Sequence, residues 1–518
     1  MHDVVIKGGL VVDGSGGEPF VADVAVTDGR VADIGRRLGA SRRNIDAIGH
    51  IVSPGFIDIH THSDFTLPVR PGGEAKLLQG VTTDCTGNCG FSPFPFRSVD
   101  ASSRSHGSFF EPALDMRWPT LSAFAEEIDG LRPGINLAPL VGLGAIRLAV
   151  LGDDHRSPTD RELLRMQDLL TEALTSGAFG ASAGLTYAPS GFADLRELVA
   201  LTTAVAKHDR LYATHLRDEG GRLDEALEEA LITAQRAGCR LQISHLKAFG
   251  RSNWGKVKGT LARIDRATDA GVDVAVDVYP YTTACTTLAA ALPPRALDGG
   301  QNRLKEQLAD PLIREQLHAL LEDGEKPLDT IVLGALASHP EYAGEKLSVV
   351  AHSLNLSPAE LLLRLVERDG VQSTMLVDAM SESDVKTVIS HPESMFGSDG
   401  WTMSTTAMPY AHPRDFAAAV RLLTRYVRDE PLLDLVTAIR KLTALPARRL
   451  RLPDRGVIAR GYAADICVMD FERLDERASV ETPCCHPVGV RHVLVNGVVA
   501  VDGGELTHER GGLVLSAS

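Results

Sequence analysis

Pro54-Gly55-Phe56-Ile57-Asp58-Ile59-His60-Thr61-His62 runs from a Pro-Gly break through an apolar stretch to two histidines one residue apart. Such a run predicts a buried strand, and residues i and i+2 of an extended chain share a face, so both imidazoles can reach one ion. His-x-His alone is a weak signal, and two half-buried histidines fit it as well. Two more histidines give it context. His215 ends Tyr212-Ala213-Thr214 and His245 ends Gln242-Ile243-Ser244, one βα unit apart. That spacing puts both on neighbouring parallel strands at the same rim, the carboxyl end where barrel active sites form.

Strand and helix patterns alternate around these residues. Ser157 reads as an N-cap with Pro158 at the first helical position, opening a helix over 161–176 that Gly177 stops. A strand at 179–185 follows, then a strand at 211–216, a helix at 222–237 and a strand at 241–246, with a helix at 256–270 and a strand at 272–279 beyond. Further strand candidates lie at 55–60, 81–86, 136–141 and 394–397. About eight strands result, the number that an α/β protein of the (β/α)8 barrel type needs. A doubly wound sheet is the alternative, but no Gly-rich phosphate loop supports it. Residues 281–392 break the spacing and read as a mainly helical insertion before the last strand.

The two ends differ from the middle. Val4-Val5-Ile6-Lys7 precedes Gly8-Gly9, Leu10-Val11-Val12 precedes Asp13-Gly14, and Val24-Ala25-Val26 precedes Asp28-Gly29. These predict short strands joined by turns. The tail has the same texture, in 465–469 and again around Asn496-Gly497 and Asp502-Gly503. The expectation is one small β-domain assembled from 1–54 and 445–518, around a barrel over 55–444.

Composition narrows the function classes. The chain of 518 residues carries 53 basic and 68 acidic side chains, a net charge of −15. That balance argues against a nucleic-acid partner, which needs a basic face. The longest weakly polar run, 137–151, holds Pro139 and Arg147 and is too short to span a bilayer, so no membrane partner is expected. The N-terminus has no basic segment before an apolar core, and seven scattered cysteines suit a reducing compartment; a cytoplasmic location is expected. A homo-oligomer is left open.

Cys89, in Gly87-Asn88-Cys89-Gly90, and Asp399, in Phe396-Gly397-Ser398-Asp399-Gly400, each follow a strand candidate. Taken singly, the cysteine reads as an inert small hydrophobe and the aspartate as a turn carboxylate. Taken with His60, His62, His215 and His245 they form a nitrogen, sulfur and oxygen donor set suited to Zn²⁺. A metal so held acidifies water and polarises a carbonyl, and a nearby carboxylate can move the proton, so the expected chemistry is hydrolysis.

These residues resemble the amidohydrolase superfamily and, within it, the N-acyl-D-amino-acid deacylases (D-aminoacylases). The likeness spans nearly the whole chain. Its more specific pieces are Gly87-Asn88-Cys89-Gly90 and Ser244-His245-Leu246-Lys247, with Asn253-Trp254-Gly255-Lys256, Asp277-Val278-Tyr279-Pro280-Tyr281 and Gly397-Ser398-Asp399-Gly400 in support. The resemblance implies a distorted (β/α)8 TIM barrel with a small β-sandwich built from both termini. It implies a tightly bound zinc on Cys89, His215 and His245, and a weaker second ion on His60 and His62 with Asp399, which serves as general base and acid. In this branch the cysteine replaces the carboxylated lysine of other branches. Lys247 and Tyr279 match positions that bind the substrate's α-carboxylate.

Two stretches depart from the family pattern. Thr282-Thr283-Ala284-Cys285 stands where a small Gly-Ser pair usually contacts substrate, which places Cys285 at the substrate. Asp415-Phe416-Ala417-Ala418-Ala419 follows His412-Pro413-Arg414 in place of an aromatic, glycine-rich continuation. A polar loop over 98–118 reads as a lid. The expected activity is hydrolysis of N-acyl-D-amino acids or related carboxylated small-molecule amides. The alternatives are a cyclic-amide hydrolase of the dihydroorotase or hydantoinase kind and a catalytically inactive binding homologue.

Overall fold

The computed structural model describes residues 1–97, 109–111, 114–297, 300–323, 328–404 and 411–517. Most of the loop expected to act as a lid, residues 98–108 and 112–113, lies outside them.

Eight parallel strands form the centre: Phe56–Asp58, Val81–Thr86, Asn136–Gly142, Gly180–Gly184, Leu211–His215, Arg240–Ile243, Val274–Val278 and Ser394–Phe396. Each pairs with the next in chain order. The seam between the last and the first is closed just beyond the strand ends, where Asp399 N donates to His60 O at 2.8 Å and His62 N to Gly400 O at 2.9 Å. The barrel therefore shuts through the segments that carry the candidate ligands. Apart from half-buried Arg240, the strand residues are buried because helices cover them outside and side chains fill them inside, as both faces of a parallel sheet require.

Helices follow the strands on amphipathic patterns. The helix Asp160–Thr175 has its N-cap two residues later than the sequence suggests: Thr159, not Ser157, caps it, in a capping box with Glu162. Ser157 donates instead to Asp194 Oδ2 at 2.6 Å, and Asp194 caps a helix, Leu195–Lys207, that sequence reading did not register. Within 281–392 the chain is not only helical. Strands Thr283–Thr287, Val332–Leu333 and Thr374–Asp378 form a small antiparallel sheet whose edge overlooks the barrel mouth.

Both chain ends meet in one nine-stranded sheet. The strand His2–Val11 pairs with Phe20–Thr27 on one side; on the other it pairs with Ser41–Asp46 along its first half and Ile51–Pro54 along its second. Gly8-Gly9, expected as a turn, is a bulge inside this single strand, with Gly8 at φ 67°. Asp28-Gly29 and Asn496-Gly497 are the tight hairpin turns, all four residues at positive φ. Ile6, Val24, Val26, Ile466, Val468 and Leu494 fill a core of its own. The last residues return to the barrel's amino end, where Leu515 N donates to Leu137 O at 2.7 Å and Leu450, Leu452 and Leu515 plug the interior.

Candidate metal centre

The donors sit where the strands stop. His60 and His62 follow the first strand, Cys89 the second, His245 the sixth and Asp399 the eighth, while His215 is the last residue of the fifth. His60, Cys89, His245 and Asp399 present ligand atoms that all lie within 4.8 Å of one another. Cys89 Sγ is 3.2 Å from His60 Nε2, 3.5 Å from His245 Nε2 and 3.7 Å from His215 Nδ1. Asp399 Oδ1 is 3.4 Å from His60 Nε2 and 3.2 Å from His62 Nε2. His215 enters through Cys89 and through a second cluster, His215, Glu219 and His245; His62 meets the group through Asp399 and, edge-on, through the His60 ring at 5.7 Å.

Each inner histidine has a carboxylate behind it. Glu219 lies 3.1 Å from His245 Nδ1 and 3.4 Å from His215 Nε2. His245 Nε2 and His215 Nδ1 are the nitrogens that face the sulfur, and His245 Nδ1 also meets Lys247 Nζ at 2.7 Å. Asp277 Oδ1 lies 3.1 Å from His60 Nδ1, which can donate to it, and accepts His245 N at 2.7 Å. Carboxylate-backed histidines are the usual arrangement around a metal. The charge states agree. Burial first, with Lys247 behind it, holds His245 well below its ordinary pKa, and burial keeps His215 neutral too. Burial lowers His62 to about 4. Burial opposes charge on His60 as well, but the Cys89 sulfur and Asp277 outweigh it and raise its pKa. Burial pushes the Cys89 thiol up, against His60; a bound cation would deprotonate it. Borderline-soft donors and the neutral rings of His62, His215 and His245 fit a zinc-type ion.

Asp399 is ionised. Burial works against its charge, yet the Arg414 guanidinium, 2.7 Å away at Oδ2, and His245 outweigh it and hold the carboxyl well below the usual range. Arg414 is itself buried, at 2% exposure, and faces the Tyr279 ring at 5.1 Å. Lys247 Nζ donates to Glu219 Oε1 and meets His245 Nδ1, both at 2.7 Å, so it is tied to the ligand sphere. Tyr279 is buried at the same mouth, its hydroxyl without a hydrogen-bond partner among the described residues. Sequence reasoning did not single out Glu219 or Arg414 as site residues. An acid four residues after His215 and the cation in His412-Pro413-Arg414 were the available signals.

A narrow cavity of about 20 Å³, room for about one water molecule, opens beside Asp399, lined by His62, Cys89, Phe91, Phe109, Phe110, Tyr187, Cys285, Thr286, Thr374, Trp401 and Arg414. Phe110 stacks on His62 with ring centres 4.4 Å apart. Gly180-Ala181-Ser182-Ala183-Gly184 matches the letters of a serine-hydrolase elbow, but it is a barrel strand rather than a strand-to-helix turn. Ser182 Oγ accepts from Gly90 N at 2.9 Å and donates to Gly87 O, so it braces the Cys89 loop.

Residues 43–501 match the model of the Amidohydrolase family. The chain is 36% identical to an N-acyl-D-glutamate deacylase of Alcaligenes xylosoxydans xylosoxydans, over 98% of this chain and 96% of that one. It is 32% identical to a D-aminoacylase of the same organism, over 99% and 97%. Among solved structures it superposes on an N-acyl-D-glutamate deacylase from Bordetella bronchiseptica, determined with zinc and a phosphonate mimic of the tetrahedral intermediate, at a TM-score of 0.87, 34% identity and full coverage of both chains. A hydantoinase from Arthrobacter aurescens, at 0.56 and 18% with full coverage of both chains, shares the fold alone. Among the described residues no helix is long and apolar enough to cross a membrane.

Proposed function

The chain belongs to the amidohydrolase family, and within it we propose that it is a zinc-dependent deacylase hydrolysing the amide bond of N-acyl-D-amino acids. The observation that carries this reading is the convergence of His60, Cys89, His245 and Asp399 on one buried point, with Asp399 held as a carboxylate by Arg414. Cys89, His215 and His245 would hold the zinc, and His60 and His62 with Asp399 a weaker second ion. When bound, zinc supplies polarisation of the amide carbonyl and a water acidic enough to attack near neutral pH.

The protein's own groups then have defined tasks. Asp399 accepts a proton from the attacking water as the new C–O bond forms, and returns it to the amide nitrogen as the C–N bond breaks. A carboxylate and a free amino acid leave. The α-carboxylate of the substrate meets the cations at the mouth, with Tyr279, its hydroxyl unpartnered, as the neutral donor beside them. Aromatic side chains above His62 exclude water from the proton transfer.

A cyclic-amide hydrolase is less well supported. Hydantoinase and dihydropyrimidinase structures resemble this chain at 15–18% identity, an allantoinase and a dihydroorotase match at 30% and 25% over 54% of it, and the fourth barrel strand, Gly180–Gly184, contains no lysine to be carboxylated. The test is turnover by the zinc-loaded protein on N-acetyl-D- and N-acetyl-L-amino acids, with hydantoins and dihydroorotate as controls. Release of D-amino acids is expected; ring opening of the controls without deacylation would overturn the reading.

A further inference from the structure

A second cavity, of about 290 Å³, lies at the barrel's amino end, opposite the metal centre. Four arginines, Arg240, Arg448, Arg449 and Arg451, line it together with Asp273 and Glu393. Three strand starts and one helix build it. Arg240 opens the sixth barrel strand, and Asp273 and Glu393 stand one residue before the seventh and the eighth. Arg448 and Arg449 belong to the helix Ala444–Leu450, and Arg451 is its C-cap. In a chain of net charge −15, so many guanidiniums around one cavity run against the overall sign.

The four cations are not equally engaged. Arg449 is 7% exposed and spends its donors on Gln242 Oε1 at 3.2 Å, Leu241 O and Asp273 Oδ1, so it frames the cavity. Arg240 donates to two backbone carbonyls, Arg449 O at 2.6 Å and Asp209 O at 3.0 Å. Its Nε stands 3.9 Å from Asp209 Oδ1 and has no hydrogen-bond partner among the described residues. Burial pulls both guanidiniums below their ordinary pKa, with Asp273 working against it. Arg448 donates to Glu393 Oε2 at 2.8 Å and Arg451 to Asp209 Oδ2. Each guanidinium carries five N–H donors, and these two side chains are 61% and 53% exposed, so both form a reachable rim. Buried Met395 and Leu445 complete the lining, which keeps part of the cavity away from bulk water and strengthens charge attraction there.

We propose that this cavity binds a phosphate-type oxyanion, held by Arg448 and Arg451 at the rim with Arg240 beneath them. Guanidinium forks match phosphate oxygens two at a time, and a phosphate has oxygens enough for more than one fork. The bound anion ties the start of the sixth strand to the helix whose Leu450 helps to plug the barrel. Its effect is therefore on stability, as befits the amino end of a barrel, and not on turnover. The inference is independent of the deacylase reading.

The experiment is calorimetric titration of the zinc-loaded full chain, in phosphate-free buffer, with inorganic phosphate, glycerol 3-phosphate and acetate. Inorganic phosphate is expected to bind with a Kd of about 1 mM or tighter and to raise Tm as its concentration rises. Glycerol 3-phosphate is expected to bind at least as tightly, because the cavity has room beyond the phosphate, and would name a phosphate ester as the source; a preference for inorganic phosphate would name the free ion. An Arg448→Gln, Arg451→Gln double variant should weaken phosphate at least about tenfold while folding and turning over as the parent does. Asp399→Asn, at the other end of the barrel, should bind phosphate unchanged. No binding, or acetate bound as tightly as phosphate, would overturn the proposal. So would binding that survives in the double variant and is lost when zinc is removed, which would put the phosphate on the metal centre.

Discussion

Lys76→Met removes a buried ammonium from between two buried carboxylates under the catalytic floor. Lys76 is 1% exposed and Asp58 and Asp84 are 0%. Its Nζ lies 2.7 Å from Asp58 Oδ2 and 3.7 Å from Asp84 Oδ2, which at an effective dielectric constant of about 20 corresponds to about 6 and about 4 kcal/mol of gross attraction. Desolvation of the ammonium offsets much of that, and the net cost of breaking such a pair is about 3–5 kcal/mol. The loss depends on pH. Burial, against the pull of Lys76, pushes Asp84 up to about 7, and removing the ammonium raises it further. A carboxyl whose folded pKa lies above its unfolded value, about 4, contributes its stability in full below the unfolded value and loses it as pH rises through the folded one. The variant therefore escapes part of the cost at pH 6, where Asp84 is protonated, and bears it at pH 9. Urea unfolding of the zinc-loaded protein at both pH values measures this, and a Lys76→Met, Asp58→Asn double variant should recover part of the loss. A loss below about 1 kcal/mol at pH 9, or a larger loss at pH 6, would refute the reasoning. Turnover should fall as well, because Lys76 donates to Ser398 Oγ at 2.9 Å and Asp58 Oδ1 accepts Ser398 N at 2.8 Å, next to Asp399.

Asp399→Asn is expected to lower kcat by at least about 100-fold while bound zinc, measured by metal analysis, persists. Glu219→Gln should weaken zinc binding about 10- to 100-fold in a chelator competition, because His215 and His245 lose the carboxylate charge 3.4 and 3.1 Å behind them; unchanged affinity would remove Glu219 from the ligand sphere. Lys247→Ala should raise KM for carboxylated substrates and lower zinc affinity, since the ammonium is bonded to Glu219 and His245. Cys89→Ala and Cys89→Gly should both lose zinc and activity, with the glycine variant more stable by about 1 kcal/mol in the unfolding midpoint.

The barrel strands were legible because each is a short β-branched or alanine-rich run bounded by turn residues, and because histidines mark several of their ends. The donors were legible for the same reason: position along a strand decides which rim a side chain reaches. What the sequence hid depends on long-range approach. Lys76 and Ser398 lie 322 residues apart, and nothing local tells that they meet. Phe110 gives no sign of stacking on His62. Arg414 sits in a segment whose helical pattern already explains its neighbours, so its aim at Asp399 appears only when the barrel seam closes. Glu219 looks like one more acid before a helix until two rings turn out to share it. Ser157 outcompeted Thr159 as a cap on paper because Pro158 suits a first helical position; Glu162 reaching back to Thr159 decided otherwise.

The backbone at the centre explains why this geometry had to come from the whole fold. Cys89, His245 and Asp399 have φ of 53°, 33° and 53°, a left-handed conformation that side-chain-bearing residues avoid. Each costs of order 1–3 kcal/mol unless its surroundings over-determine it. All three are so held. Ser182 ties Gly87 O and Gly90 N on either side of Cys89, and at Gly87 a Cβ would stand 2.1 Å from Leu140 O, so no other residue fits there. Asp277 Oδ1 takes His245 N while also facing His60 Nδ1, so one carboxylate sets a turn and orients a ring. His60 O takes Asp399 N in the bond that closes the barrel. Three of the four converging donors thus leave their strands by a turn that points them inward, and the bonds enforcing each turn come from a different strand. A local sequence can name the donors, but only neighbouring strands in register can hold three strained turns at once, which makes barrel closure and assembly of the centre a single event.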